Sequence, residues 1–316
     1  MKSIYWGIDV GGTGIKLGAF LKDGSLLLKR EVQTDLTDHG RRILPDISRI
    51  IRSMAEEQGW DWAQMAGAGI GIPGPVRRDG YVERCVNLGW MGFNPQKELS
   101  ELLHIPVTAG NDANMAAMGE YWQGGGRGYR SLMLITLGTG VGAGIVLDGG
   151  HILYGAKGLG GEIGHTVICP EEPLRCTCGH YGCLDQMASA TGIVRNAHRF
   201  LEKDARLSVL REIPEFSCRD VLDAAKDGDP VAEETVRYCL GFLGKSIAYA
   251  SYIVDPEVFI LGGGVSNAGE YMLNIVKDAY QANAQLADTF AEIRLARLGS
   301  EAGMIGCAGA AVMQNP

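Results

Sequence analysis

The chain has 316 residues, 46% of them hydrophobic and 21% charged, enough to fill a sizeable core across two domains of ordinary size and unlike a disordered composition. A net charge of −8 argues against a broad nucleic-acid surface. The longest uncharged run, 131–147, is too short and too punctuated by glycine for a membrane span, and the opening MKSIYWGIDVGG passes straight into a strand pattern, so neither a membrane segment nor a signal peptide is expected. Eight cysteines do not make a disulfide scaffold at this length, and a soluble cytoplasmic protein is the expectation.

In chain order, SIYWGIDVGGTGIKLGAFLKDGSLLLKREVQT predicts three strands joined by glycine turns, near 3–10, 14–21 and 25–33. Residues 40–58 place apolar side chains at 43, 47, 50, 51 and 54, a helical spacing. MAGAGIGIPG is a buried strand before a proline turn, and HIPVTAGN is another, feeding a helix over 112–122. SLMLITLGTGVGAGIVLDGGHIL then repeats the grammar of the first strands around a Gly-Thr-Gly turn. Helices are expected over 187–202, 218–226, 231–253 and 268–288, with EVFILGGGVS as an interposed strand and 302–314 as a closing helix. Strands alternating with helices, twice over, indicate α/β architecture in two similar halves.

Three glycine turns end apolar strands: Asp9-Val-Gly11-Gly12-Thr13, Leu137-Gly138-Thr139-Gly140 and Leu261-Gly262-Gly263-Gly264. Such turns expose backbone N–H groups and, lacking Cβ, let a phosphate approach. Two other nucleotide patterns fail. Gly69-Ile-Gly71-Ile-Pro73-Gly74 carries prolines where a dinucleotide fold needs a helix, and Gly244-Lys245-Ser246 lacks the upstream glycine of a P-loop, which is Cys239 here.

His165, Cys176, Cys178 and Cys183 offer an imidazole and three thiols, the donor set of a closed structural Zn²⁺ site, although a reducible thiol cluster or plain buried cysteines remain open. His180 and Cys169 could compete for the fourth position. A bound zinc would pin the segment that carries Glu162. At 108–120, TAGNDANMAAMGE puts Asn111 and Asp112 where a strand becomes a helix. Helix capping and catalysis are both open readings on this window alone.

Together with Glu162-x-Gly-His165, these motifs occur in one order from about residue 3 to 312, and the combination resembles the ROK family of sugar kinases and sugar-responsive repressors. VNLGWMGFNP (86–95) looks like its glucokinase branch. The resemblance implies an actin/hexokinase-like (ribonuclease H-like) fold of two α/β lobes with the active-site cleft between them. The N-terminal lobe would span 1–120, completed by 302–316, and the larger lobe 121–301, with the zinc loop and dimerising helices. It further implies ATP and Mg²⁺ on the turns containing Asp9, Gly11, Gly12, Thr13, Gly138, Thr139 and Gly140, an adenosine loop at Gly262, Gly263 and Gly264, and structural Zn²⁺ on His165 and the three cysteines. Lys16 could add positive charge near the phosphates or be a solvated strand lysine. Asp112 falls on the family's catalytic base, and Asn111, Glu162 and His165 on its sugar ligands, with Asn87, Asp112 and Asp185 as further candidate sugar-binding residues. The chain departs from the family at Asp185, where a glutamate usually reaches the sugar near C1 and C2. One methylene fewer withdraws the carboxylate by about 1.5 Å.

The implied activity is an ATP-dependent hexose kinase acting at O6, glucose leading, with mannose, fructose, allose, N-acetylglucosamine and N-acetylmannosamine as alternatives, in a homodimer or homotetramer. A family repressor would carry a helix-turn-helix module ahead of the first strand, which begins within five residues of Met1. A protein-binding, actin-like ATPase would share the phosphate turns but has no use for Glu162, His165 and the cysteines. Nucleic-acid and membrane partners are not expected.

Overall fold

The computed structural model describes residues 2–203, 205–286 and 290–314. The chain divides into two compact units, Met1–Leu132 with Gly144–Gly161 and Arg297–Pro316, and Met133–Ala143 with Glu162–Ala296.

The first half of the chain runs β1 (Ile4–Val10), β2 (Gly14–Leu21), β3 (Leu26–Gln33), α1 (Ile43–Glu57), β4 (Met65–Ile72), β5 (Val82–Cys85), β6 (Trp90–Phe93), α2 (Pro95–Leu103), β7 (Val107–Asn111) and α3 (Asp112–Gln123). Five strands form one sheet in the order β3-β2-β1-β4-β7. β1 pairs antiparallel with β2 and parallel with β4, and β4 pairs parallel with β7. β1 lies in the middle of the sheet and is buried along almost its whole length, which explains its near-continuous apolar sequence. The helical spacing in α1 holds: Ile43, Ile47, Ile51 and Met54 are fully buried and Ile50 is half-buried at the edge of the same core. α2 and the β5–β6 hairpin are additions to the expected elements. α2 opens with Asn94, whose side chain accepts from the Lys97 amide, followed by Pro95 at the first helical position, a starting signal that FNPQKEL does carry.

The second half runs β8 (Leu132–Leu137), β9 (Val141–Leu147), β10 (His151–Ile152), α4 (Leu184–Ala188), α5 (Ala190–Lys203), α6 (Cys218–Lys226), α7 (Pro230–Val254), β11 (Val258–Gly262), α8 (Glu270–Asn283), β12 (Glu292–Leu295) and α9 (Ala302–Gln314). The second sheet has the order β10-β9-β8-β11-β12. β12 is a further strand beyond those expected. Gly244-Lys245-Ser246 lies inside α7, so it forms no phosphate loop. The helix expected over 268–288 ends at Asn283, and residues 287 and 288 lie outside the described residues, as do 315 and 316 of the expected closing segment.

The helix expected over 187–202 is two helices. Ser189 breaks it with an extended backbone, its hydroxyl accepts from the Gly192 amide, and the Ala190 amide donates to Gly138 O at 2.8 Å rather than to its own helix. The surplus of glycine has a packing cause in the first unit. α9 lies on β1 and β4 so closely that a Cβ at Gly7 or Gly69 would fall inside the backbone of Met304 or Cys307. Gly119 and Gly306 bring α3 and α9 together in the same manner.

Candidate functional site

In the first unit, the parallel strands β1, β4 and β7 end at one edge. Asp9 pairs with Gly71, and Gly71 pairs with Gly110, so Asp9 and Asn111–Asp112 emerge from the same row of strand ends. In α/β sheets this is the edge where ligands bind. The turn after β1 is held by Gly11 N donating to Gly14 O (2.9 Å) and by Thr34, whose hydroxyl donates to Gly11 O (2.7 Å) and whose amide donates to Thr13 O (3.1 Å). Thr34 is a contributor that no local pattern announces. Lys16 lies opposite Asp9 on β2, and its ammonium donates to Ser300 O (2.6 Å).

Asn111 is the N-cap of α3: its Oδ1 accepts from the amides of Ala113 (3.0 Å) and Asn114 (3.3 Å). Its Nδ2 donates to Gly74 O (3.1 Å) and to Asp112 Oδ1 (2.8 Å). Asp112 Oδ1 also accepts from Ala113 N (2.8 Å), so both of these bonds fall on one oxygen. Capping is therefore real and belongs to Asn111, while Asp112 is oriented by it. Solvent reaches the Asp112 carboxylate, yet protein surrounds it on most sides, and that desolvation raises its pKa against the opposing bonds from Ala113 and Asn111. Burial, followed by the like charge of Asp112, pushes Asp9 up to about 6. Asn87 is exposed in the turn between β5 and β6. The same hairpin is tied back by Cys85 Sγ, which donates to Pro73 O (2.7 Å).

In the second unit, the ligand atoms of His165, Cys176, Cys178 and Cys183 all lie within 4.8 Å of one another. Cys178 Sγ is 3.5 Å from Cys183 Sγ, and Cys176 Sγ is 3.8 Å from His165 Nδ1. Tetrahedral Zn–S bonds of about 2.3 Å put thiolates roughly 3.8 Å apart, so the donor set fits zinc. Neither His180 nor Cys169 belongs to the cluster, and the Cys169 thiol instead lies near Glu171 and Tyr238. With Nδ1 facing the thiols, His165 turns Nε2 toward Glu162, whose Oε2 is 4.0 Å away. One ring nitrogen can serve a metal while the other serves a ligand. Gln186 organises the loop: its Oε1 accepts from Gly182 N (3.0 Å) and Cys183 N (3.3 Å), and its Nε2 donates to Leu174 O (2.7 Å).

The turn between β8 and β9 is held by Gly138 N donating to Gly140 O (2.9 Å). A Cβ at Gly138 would meet nothing within 4 Å, and the same is true of Gly12 and Gly264, so each backbone is open on the side a Cβ would fill. Such bare backbone suits a phosphate-bearing ligand. Gly140 differs, since a Cβ there would lie 2.6 Å from Asp185 Oδ1. That oxygen accepts from Val141 N at 2.6 Å, so Asp185 is engaged with this turn. After β11, Gly263 has φ +86° and packs so tightly on Leu137 that a side chain would strike its backbone.

Comparison with known proteins adds the lineage. Residues 5–314 match the model of the ROK family, and the chain belongs to that family. It is 39% identical over 308 residues to a glucokinase of Halalkalibacterium halodurans, covering 96% of this chain and 93% of that one. Among solved structures it resembles a ROK hexokinase from Thermus thermophilus (TM-score 0.82, 33% identity, 99% of each chain). It also resembles a ROK glucokinase from Streptomyces griseus in complex with glucose and AMPPNP (TM-score 0.75, 30% identity, 98% of this chain and 99% of that one). The two α/β units thus have the actin-like fold of these kinases. Among the described residues no helix is long and apolar enough to cross a membrane.

Proposed function

We propose that the protein is an ATP-dependent hexose kinase that transfers the γ-phosphoryl group to O6 of a hexose, glucose first. The observation that carries this reading is Asp112, a carboxylate of raised pKa held by Asn111 at the strand edge that also bears the Asp9–Thr13 turn. Phosphoryl transfer asks for alignment and charge stabilisation more than covalent chemistry. The bare amides of the turns at Gly11–Thr13 and Gly138–Gly140 would bind the phosphates, and Gly262–Gly264 the adenosine. Mg²⁺ arriving with ATP would neutralise the β and γ oxygens, with Asp9 holding its water shell. Asn111, Glu162 and the Nε2 face of His165 would bind sugar hydroxyls, joined by Asn87. Asp112 would accept the O6 proton as the bond to phosphorus forms, through the carboxylate oxygen not already bonded to Ala113 and Asn111.

The glucokinase and hexokinase relatives support the substrate class, and the complex of the Streptomyces griseus relative with glucose and AMPPNP supports the ligand pair. Asp112→Asn tests the base. The variant should keep its fold and sugar affinity, because Asn retains the oxygen that accepts from Ala113, and should lose kcat by about 10²–10⁴-fold. Unchanged turnover would remove Asp112 from the mechanism.

A further inference from the structure

The segment that follows the last cysteine of the cluster grips the turn between β8 and β9 at three points. Asp185 Oδ1 accepts from Val141 N (2.6 Å), Ala190 N donates to Gly138 O (2.8 Å), and the Thr191 hydroxyl donates to Thr139 O (3.0 Å). These three residues span the break between α4 and α5, and the break at Ser189 is what frees the Ala190 amide to leave its helix. Asp185 is two residues from Cys183, in the first turn of α4, and Leu184 N donates to Thr166 O (3.0 Å), next to His165. Gly164, between Glu162 and His165, lies so close to Val141 that a Cβ would enter the Val141 carbonyl. The metal-binding loop and the segment that follows it are therefore in direct contact with the glycine turn. Of the three bonds that grip the turn, that of Asp185 to Val141 alone is made by a charged side chain.

We infer that Asp185 is a positioning residue for the nucleotide: it fixes the 137–142 turn through the Val141 amide and transmits the order of the zinc loop to that turn. The inference rests on reading that turn as a phosphate loop. It assigns Asp185 to the donor side of the reaction, with its carboxylate bonded to the Val141 amide. Gly140 is then explained as well, since any side chain at that position would push the carboxylate off its partner.

The test is calorimetric binding of AMPPNP with Mg²⁺ to the full zinc-loaded chain, alongside glucose binding and metal content. Asp185→Ala removes the acceptor and should weaken AMPPNP by about tenfold, the scale of a hydrogen bond to a charged acceptor. Asp185→Asn keeps an oxygen for the Val141 amide and should lie within about twofold of the parent. Glucose affinity should change by less than about twofold in both. Chelation of zinc should weaken AMPPNP in the parent and by less in Asp185→Ala, because the charged link is already cut and only the Ala190 and Thr191 bonds remain. Unaltered AMPPNP affinity in Asp185→Ala, a loss confined to glucose, or a full additional loss on chelation in that variant would each overturn the inference. A parent chain that binds glucose and not AMPPNP would overturn the phosphate-loop reading, and the inference with it.

Discussion

Asp9 and Asp112 place two carboxylates at the ends of β1 and β7, on either side of β4 along one sheet edge; burial favours the protonated form of each, and the charge of Asp112 adds to this at Asp9. The cost of such an arrangement should show in the pH dependence of stability. With a pKa of 3.8 in the unfolded chain and about 6 in the fold, Asp9 holds a proton in the native state that the unfolded state has released between those values. Its contribution to stability therefore falls as pH rises through that window and stays lost above about 6. Asp9→Asn should raise the unfolding free energy obtained from urea titration at pH 8 by up to about 3 kcal/mol and give little gain at pH 4. An equal gain at both pH values would show that the carboxylate is not held at that cost. The residue scale is also where the sequence was most readable. Asn111-Asp112, Glu162, His165 and the three cysteines are chemically distinctive wherever they stand. Asp185 is the exception, since its partner Val141 is 44 residues away and nothing local to Cys183-Leu-Asp185 points to it.

At the scale of elements, periodicity carried most of the reading: α6 and α9 run over the expected spans, and β1 to β3 lie within a residue of theirs. What stayed hidden depends on partners distant in sequence. The Ser189 break exists because Gly138 O, about fifty residues earlier, claims the Ala190 amide. β12 is a four-residue strand, too short to show alternation, and it forms by pairing with β11. The glycines of β1, β4, α3 and α9 are likewise unreadable locally, because each is required by the opposite backbone. That makes glycine substitutions a contrast of sign. Gly306→Ala would drive a Cβ into the Met115 carbonyl and should destabilise by about 1–3 kcal/mol. Gly241→Ala, inside α7 with nothing within 4 Å of the new Cβ, should stabilise by about 0.5–1 kcal/mol. Thermal or urea unfolding of both variants checks the pair, and a neutral Gly306→Ala would mean that α3 and α9 do not pack backbone to backbone.

On the scale of the whole molecule, one construction recurs in both units: an apolar strand, a glycine turn with open backbone, and a carboxylate close by. Asp9 stands before the turn in the first unit and Asp185 braces it in the second. The ROK lineage and the actin-like fold follow from the full length of the chain, whereas the identity of the sugar depends on a handful of side chains. The most direct measurement of the central claim is ADP release from Mg-ATP against a panel of hexoses and N-acetylhexosamines at sub-millimolar sugar. Strong turnover on glucose, with the phosphate on O6, is the expected result. Absence of turnover on every sugar, in folded and zinc-loaded protein, would contradict a hexose kinase.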